Sequence, residues 1–171
     1  MASRQATFTA LTATNDQQRT KENLSATIEK DGAMYRYVRN KDVVALSLGN
    51  AAFHRLSDGA DLLKNVYMCL TADLSVMAGI VVATDGLAAN SGTNPKTDGW
   101  IQIFGTNASI SVVGDGATAI AVGEYLKGVT ATVNITRDTA ALTSYKRRVQ
   151  ALATQASTAA AAYLLGFIDC R

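Results

Sequence analysis

One histidine, one proline, one tryptophan and two cysteines are spread over 171 residues, and aromatics make up only 6% of the chain. Each scarcity closes a class of function. Catalytic and metal-binding histidines act with a second His, a Cys or an acid at defined spacing, and nothing of that form surrounds His54 in "AAFHRLSDG". His54 is therefore expected in a surface or hydrogen-bonded role. Two cysteines as distant as Cys69 and Cys170 cannot support a disulfide framework, so both are expected as reduced thiols. Neither lies in a CxxC or beside a base.

The neighbouring acids Asp58 and Asp61 lack the alternating oxygen ligands and terminal Glu of a calcium loop. There is no GxSxG elbow and no P-loop. No apolar run approaches the roughly 20 residues of a membrane helix, and the first residues lack a secretory h-region. The expectation is a protein made in a cytoplasm, or assembled there, without a membrane partner. A net charge of +2 supplies no field for nucleic acid. No metal and no cofactor is expected, and no catalytic residue.

What is present is Ala, Thr and Gly among short runs of β-branched and aromatic residues. Residues 1–27 carry only Phe8, Leu11 and Leu24 as large apolar side chains and cannot bury enough surface on their own to offset their ordering entropy. They read as a flexible arm, either a loose end or a segment ordered on a neighbouring subunit. From residue 28 the texture changes. "AMYRYVRN" alternates, with Met34, Arg36 and Val38 on one side and Tyr35, Tyr37 and Arg39 on the other. With "DVVALSLG" after a turn at Asn40-Lys41-Asp42 it reads as a hairpin.

The spacing of Leu62, Val66 and Leu70 predicts a short helix over 61–70. "AGIVVAT" reads as a strand closed by Asp85-Gly86, and 88–99 as a loop. "WIQIFG" alternates, Trp100, Gln102 and Phe104 opposite Ile101 and Ile103. "ASISVVG", "TATVNIT" and "AYLLGFIDC" follow as separate short strands. Turn signals about every ten residues predict a mainly β fold, an antiparallel sandwich or barrel with one short helix, over 28–171. Residues 142–162 fit a helix by apolar spacing and a strand by alternation in "RRVQALAT".

"VVGDGATA", residues 112–119, has the form of a dinucleotide-binding turn, with Asp138 where a ribose-binding acid would sit. The helix it needs would contain Gly123 and β-branched Ile120 and Val122, and too few residues follow for the remaining βαβ units. Asp-Gly is a hairpin dipeptide in its own right. Gly114, Asp115 and Gly116 are read as a structural turn. Gly99, Trp100, Gly105 and Gly123 are likewise assigned to turns and core. The basic trio Lys146-Arg147-Arg148 is either a solvated face or a contact for phosphate or an acidic protein patch.

The order of "GAMYRYVRNKDVVALSLG", "AGIVVATDG", "DGWIQIFG", "AIAVGEYLKG" and "VQALATQASTAAAAYLLGFI" resembles the small proteins that decorate, or cement, the capsids of tailed bacteriophages. Gly99–Gly105 matches a Gly-Trp-hydrophobic-Gln-hydrophobic strand of that family, and Ala121–Leu126 its Val-Gly-Glu-Tyr-Leu turn. The resemblance spans residues 28–171. It implies a small β-rich domain bound as an oligomer, often a trimer, to the outer face of the shell, with the major capsid protein and its own copies as partners. It also implies that "RRVQALAT" and "YLLGFIDC" are closing strands joined through "QASTAAAA". Phe8, Leu11, Lys146, Arg147 and Arg148 are the candidate partner contacts. Residues 54–77 fall outside the resemblance and read as an insertion available to shape a partner contact. A different reading makes the chain a virion module for cell-surface glycans, with Trp100 and Tyr35 or Tyr37 as the sugar platform.

Overall fold

The computed structural model describes residues 24–70, 75–90, 97–112, 120–138, 151–153 and 162–170. Within them the protein is mainly β, largely antiparallel, with one short helical segment. Strands β1 (Thr27–Lys30) and β2 (Ala33–Asn40) form a tight hairpin. Its two-residue turn, Asp31-Gly32, has φ of 53° and 74°, the mirror-image turn whose twist matches that of the strands it joins.

The partner of β2 therefore differs from the sequence expectation. Asn40-Lys41-Asp42 is a local bend, closed by the Asp42 amide donating to Asn40 Oδ1 at 2.9 Å. The following residues form no strand beyond the single bridge of Leu46 to Leu87. The N-terminal boundary also moves. Leu24 is buried against Tyr37 and Trp100, and the Ser25 amide donates to the Tyr37 carbonyl at 2.7 Å. Residues 24–27 belong to the fold, while residues 1–23 lie outside the described residues.

The second edge of β2 pairs with β6 (Asp98–Val112), a 15-residue strand. Expected as two strands parted at Gly105, this stretch is continuous. Gly105 takes φ 102° inside the strand, just past a register shift opposite Met34 and Tyr35. A side chain at that φ is disfavoured, and a Cβ would stand 3.1 Å from Ala33 Cα. The glycine bends the strand without ending it.

Beyond β6 lies β10 (Ala162–Asp169), and then β9 (Ala151–Ala153). Residues 151–153 are strand and pair antiparallel with β10, as the resemblance implies; the rest of 142–161 lies outside the described residues. Strands β3 (Ala51–Arg55) and β5 (Ser75–Val81) pair with each other, and β5 joins β6 at Gln102 and Ile101. Three short strands complete the network. These are β4 (Asn65–Val66), parallel to the end of β2, and the pair β7 (Leu126–Gly128) and β8 (Ile135–Arg137).

The expected helix over 61–70 is absent. The helical segment is a 3-10 turn at Leu56–Asp61, and Asn65–Val66 is strand. Its would-be apolar stripe splits: Val66 enters the core while Leu70 faces outward. Tertiary packing overrides the four-residue spacing.

Three apolar clusters hold the fold. Val38, Ala52, Val66, Ala78, Val81, Ile101 and Ile103 share one, so β2 to β6 contribute to a common core. Phe53, Met77, Ile110, Val112, Ile120, Ile135 and Ile168 share a second. On the opposite face of β2, Tyr37 and Trp100 meet edge to face at 5.2 Å. The alternation read from the sequence is thus correct, but both faces are covered.

Candidate functional site

The sequence-derived site residues separate into two groups. Gly99, Trp100 and Gly105 lie on β6, and Gly123 sits at φ 86° in a turn before β7, its amide donating to the Ala153 carbonyl at 2.8 Å. Phe8, Leu11, Gly114, Asp115, Gly116, Lys146, Arg147 and Arg148 lie outside the described residues. Around the GxGxxA stretch, residues 120–128 are turn and strand, so the helix that a dinucleotide turn requires does not follow it. Trp100 is 4% exposed, with Leu24 and Ile28 beside it. Its ring presents no open face on which a sugar could stack.

Cys69 is buried and Cys170 half-buried, and both are thiols. Burial pushes the Cys170 thiol up to about 12. Among the described residues no cluster of His, Cys, Asp and Glu could hold a metal ion, and no helix is long and apolar enough to cross a membrane.

The surface carries the distinctive chemistry. Of the eight large apolar side chains exposed among the described residues, seven come from residues 43–76: Val43, Val44, Leu48, Leu56, Leu63, Leu70 and Val76. Val43 is 80% exposed and Leu56 65%. Single exposed apolar residues need no explanation, whereas these seven are grouped within one stretch of the chain.

Three of these stretches, at Val44, Arg55 and Met68, are tied to one buried carboxylate. Asp42 Oδ2 accepts from Arg55 Nη2 at 3.1 Å and from the Met68 amide at 3.3 Å. Its Oδ1 accepts from the Val44 amide at 3.4 Å, and its carbonyl from the Asn90 amide at 2.7 Å. The Arg55 guanidinium lies 3.9 Å over the Tyr67 ring, and the Tyr67 hydroxyl donates to the Asp58 carboxylate at 3.0 Å. Burial, reinforced by that bond, pushes the Tyr67 hydroxyl up to about 12. Val43, Leu56 and Leu63 are thus held on anchored backbone beside Asp42, Arg55 and Lys64, whose carbonyl accepts from the Arg39 amide at 2.8 Å.

His54 is 5% exposed, and its Nδ1 donates to the Asn65 carbonyl at 2.9 Å. Burial depresses its pKa. It is a hydrogen-bonded residue of the interior.

Sequence reasoning missed Val43, Val44 and Leu48, which it assigned to a strand. The available signal was their setting between the side-chain-closing residues Asn40, Asp42, Ser47 and Asn50, which favour irregular backbone. The exposed residues of 56–76 do fall in the segment outside the family resemblance. No family model, no curated protein and no solved structure matches the chain.

Proposed function

We propose that this chain is a structural virion protein that binds the outer surface of a bacteriophage capsid and stabilises it by bridging neighbouring major capsid subunits. In this reading it acts as an oligomer, a trimer by the family resemblance, assembled onto the virion in the host cytoplasm. It works through its surfaces rather than through bond chemistry.

The observation that carries the reading is the run of exposed apolar side chains between residues 43 and 76, several of them beside stretches that Asp42 holds at Val44, Arg55 and Met68. A preorganised apolar surface binds without a large ordering cost. An interface of about 800 Å² per partner is the standard size for specific protein contacts. Repetition around a shell multiplies a modest affinity by avidity. The resemblance over residues 28–171 supplies the identity of the partner.

The test is direct. Purified protein is mixed with expanded capsid shells of a tailed phage encoding it, and bound protein is measured by sedimentation and shell melting by calorimetry. Co-sedimentation at a fixed stoichiometry with a raised shell melting temperature is expected. Shells that melt unchanged at saturating protein would overturn the proposal.

A further inference from the structure

Between β3 and β4 the chain makes an excursion, residues 55–64, and its base is clasped by the His54 side chain, whose Nδ1 donates to the Asn65 carbonyl at 2.9 Å. A carbonyl can only accept, so Nδ1 carries the ring proton and Nε2 is bare. Nε2 is sealed from solvent, with no hydrogen-bond partner among the described residues. One step toward the core, the Phe53 and Tyr67 amides each donate to the other's carbonyl at 2.9 Å. The clasp is therefore the tie that lies between the fixed ladder and the excursion.

No residue of 55–64 is buried. Apart from the clasp, its ties to the described remainder are polar: Arg55 to Asp42, the Tyr67 hydroxyl to Asp58, and the Arg39 amide to the Lys64 carbonyl at 2.8 Å. A segment with so little buried apolar surface opens at small cost, whereas Ala52 and Phe53 behind it are core.

The sealed site accommodates the neutral ring and not the cation. A second ring proton would place a charge and an unpaired N–H on Nε2. The groups that act on the ring from each side do not compensate. Arg36 of β2 repels a second positive charge, and Val76, opposite on β5, is apolar. Asp58 of the 3-10 turn and the Asn65 carbonyl favour the cation, but Asp58 already accepts from Tyr67. Burial outweighs both and holds the His54 pKa below its ordinary value. Water is not far off, since Val76 is 40% exposed and opposite residues of an antiparallel pair share a face.

We propose that His54 is an acid-operated latch: on protonation at Nε2 the ring leaves its sealed site, gives up the Asn65 carbonyl and frees residues 55–64, while β3 stays paired with β5. The latch is closed near neutral pH and opens as the pH falls below the ordinary histidine range. Leu56 and Leu63 ride on the freed segment, so acid changes what this surface presents. The device belongs to the isolated chain and stands or falls independently of the decoration reading.

Amide hydrogen exchange by NMR, corrected for intrinsic rates, tests it on the full chain at about pH 7.5 and about pH 5.5. The Lys64 and Arg39 amides, bonded to the Asp61 and Lys64 carbonyls, report on the excursion. Their protection should fall at least about tenfold at the lower pH, the factor one pH unit carries for a single titrating group. The Phe53 and Tyr67 amides should hold theirs. His54→Gln keeps a donor for the Asn65 carbonyl and cannot titrate, so its protection should be the same at both values. The parent supplies a second readout, because His54 is the only histidine and its ring signals are unambiguous: a proton on Nδ1 at neutral pH and a titration midpoint below 6.5 are expected. Protection lost equally at Phe53 and Tyr67, or unchanged at Lys64 and Arg39, would overturn the latch. So would a midpoint at or above 6.5, or a His54→Gln protein that opens in acid like the parent.

Discussion

Arg39 and Asp98 face each other across the last rung of the β2–β6 ladder and are joined by two bonds of 2.6 Å, Nε to Oδ1 and Nη2 to Oδ2. The carboxylate is buried and the guanidinium partly so. The bond to Asp98 raises the Arg39 pKa. Thr97 Oγ1 adds a third donor to Oδ1 at 3.0 Å. Asp98→Ala removes the acceptor for all three and is expected to cost about 2–3 kcal/mol, the range for lost charged hydrogen bonds. Asp98→Asn, which keeps one acceptor oxygen, should cost less. Urea unfolding of the three proteins measures this; equal midpoints would show that the pair contributes nothing.

Trp100 serves the core. Its ring meets Tyr37 edge to face and is covered by Leu24 and Ile28. Trp100→Ala should destabilise by about 3–5 kcal/mol, as deletion of a buried aromatic does. A Trp100→Ala protein with a parental melting temperature and a lost sugar affinity would restore the glycan platform.

Acid should weaken the fold through His54. Burial holds its pKa below the ordinary 6.5, opposed by the Asn65 carbonyl, while Arg36 lowers it further and Asp58 raises it. In the window between that depressed value and 6.5 the unfolded chain binds a proton that the folded chain does not. Stability is therefore full above 6.5 and falls as the pH drops through the window, by about 1.4 kcal/mol for each unit separating the two values. His54→Gln should flatten this dependence, measured by denaturation at about pH 7.5 and about pH 5.5. An unchanged slope in the variant would assign the acid sensitivity elsewhere.

Removing apolar surface should separate binding from folding. Val43→Ser with Leu56→Ser changes two exposed side chains, so stability should move by no more than about 0.5 kcal/mol each. Binding to shells should fall at least about tenfold, the worth of roughly 1.4 kcal/mol at an interface. A double variant that binds shells like the parent would move the contact to another face.

The alternation of β2 and of Trp100–Ile103 was legible because a strand's period of two is written directly in side-chain type. Pairing was not. Asp31-Gly32 and Asn40-Lys41-Asp42 both carry turn chemistry, and only the competition between the two hairpins decides which one closes. Gly105 has the composition of a stop, yet its freedom to adopt φ 102° lets the strand continue. The apolar surface was the least visible feature. Val43 and Val38 are the same residue type five positions apart, and burial of one and exposure of the other depend on what the remote β3–β5 unit covers.

Continuity of Asp98–Val112 has a further effect. Its first half lends Ile101 and Ile103 to one apolar cluster, and its second half lends Ile110 and Val112 to another. Neither cluster can dissolve without withdrawing the strand that the other also packs upon. Among the described residues the two clusters consequently have no seam between them along which heating could release one as a lasting intermediate, and calorimetry should record a single cooperative melt.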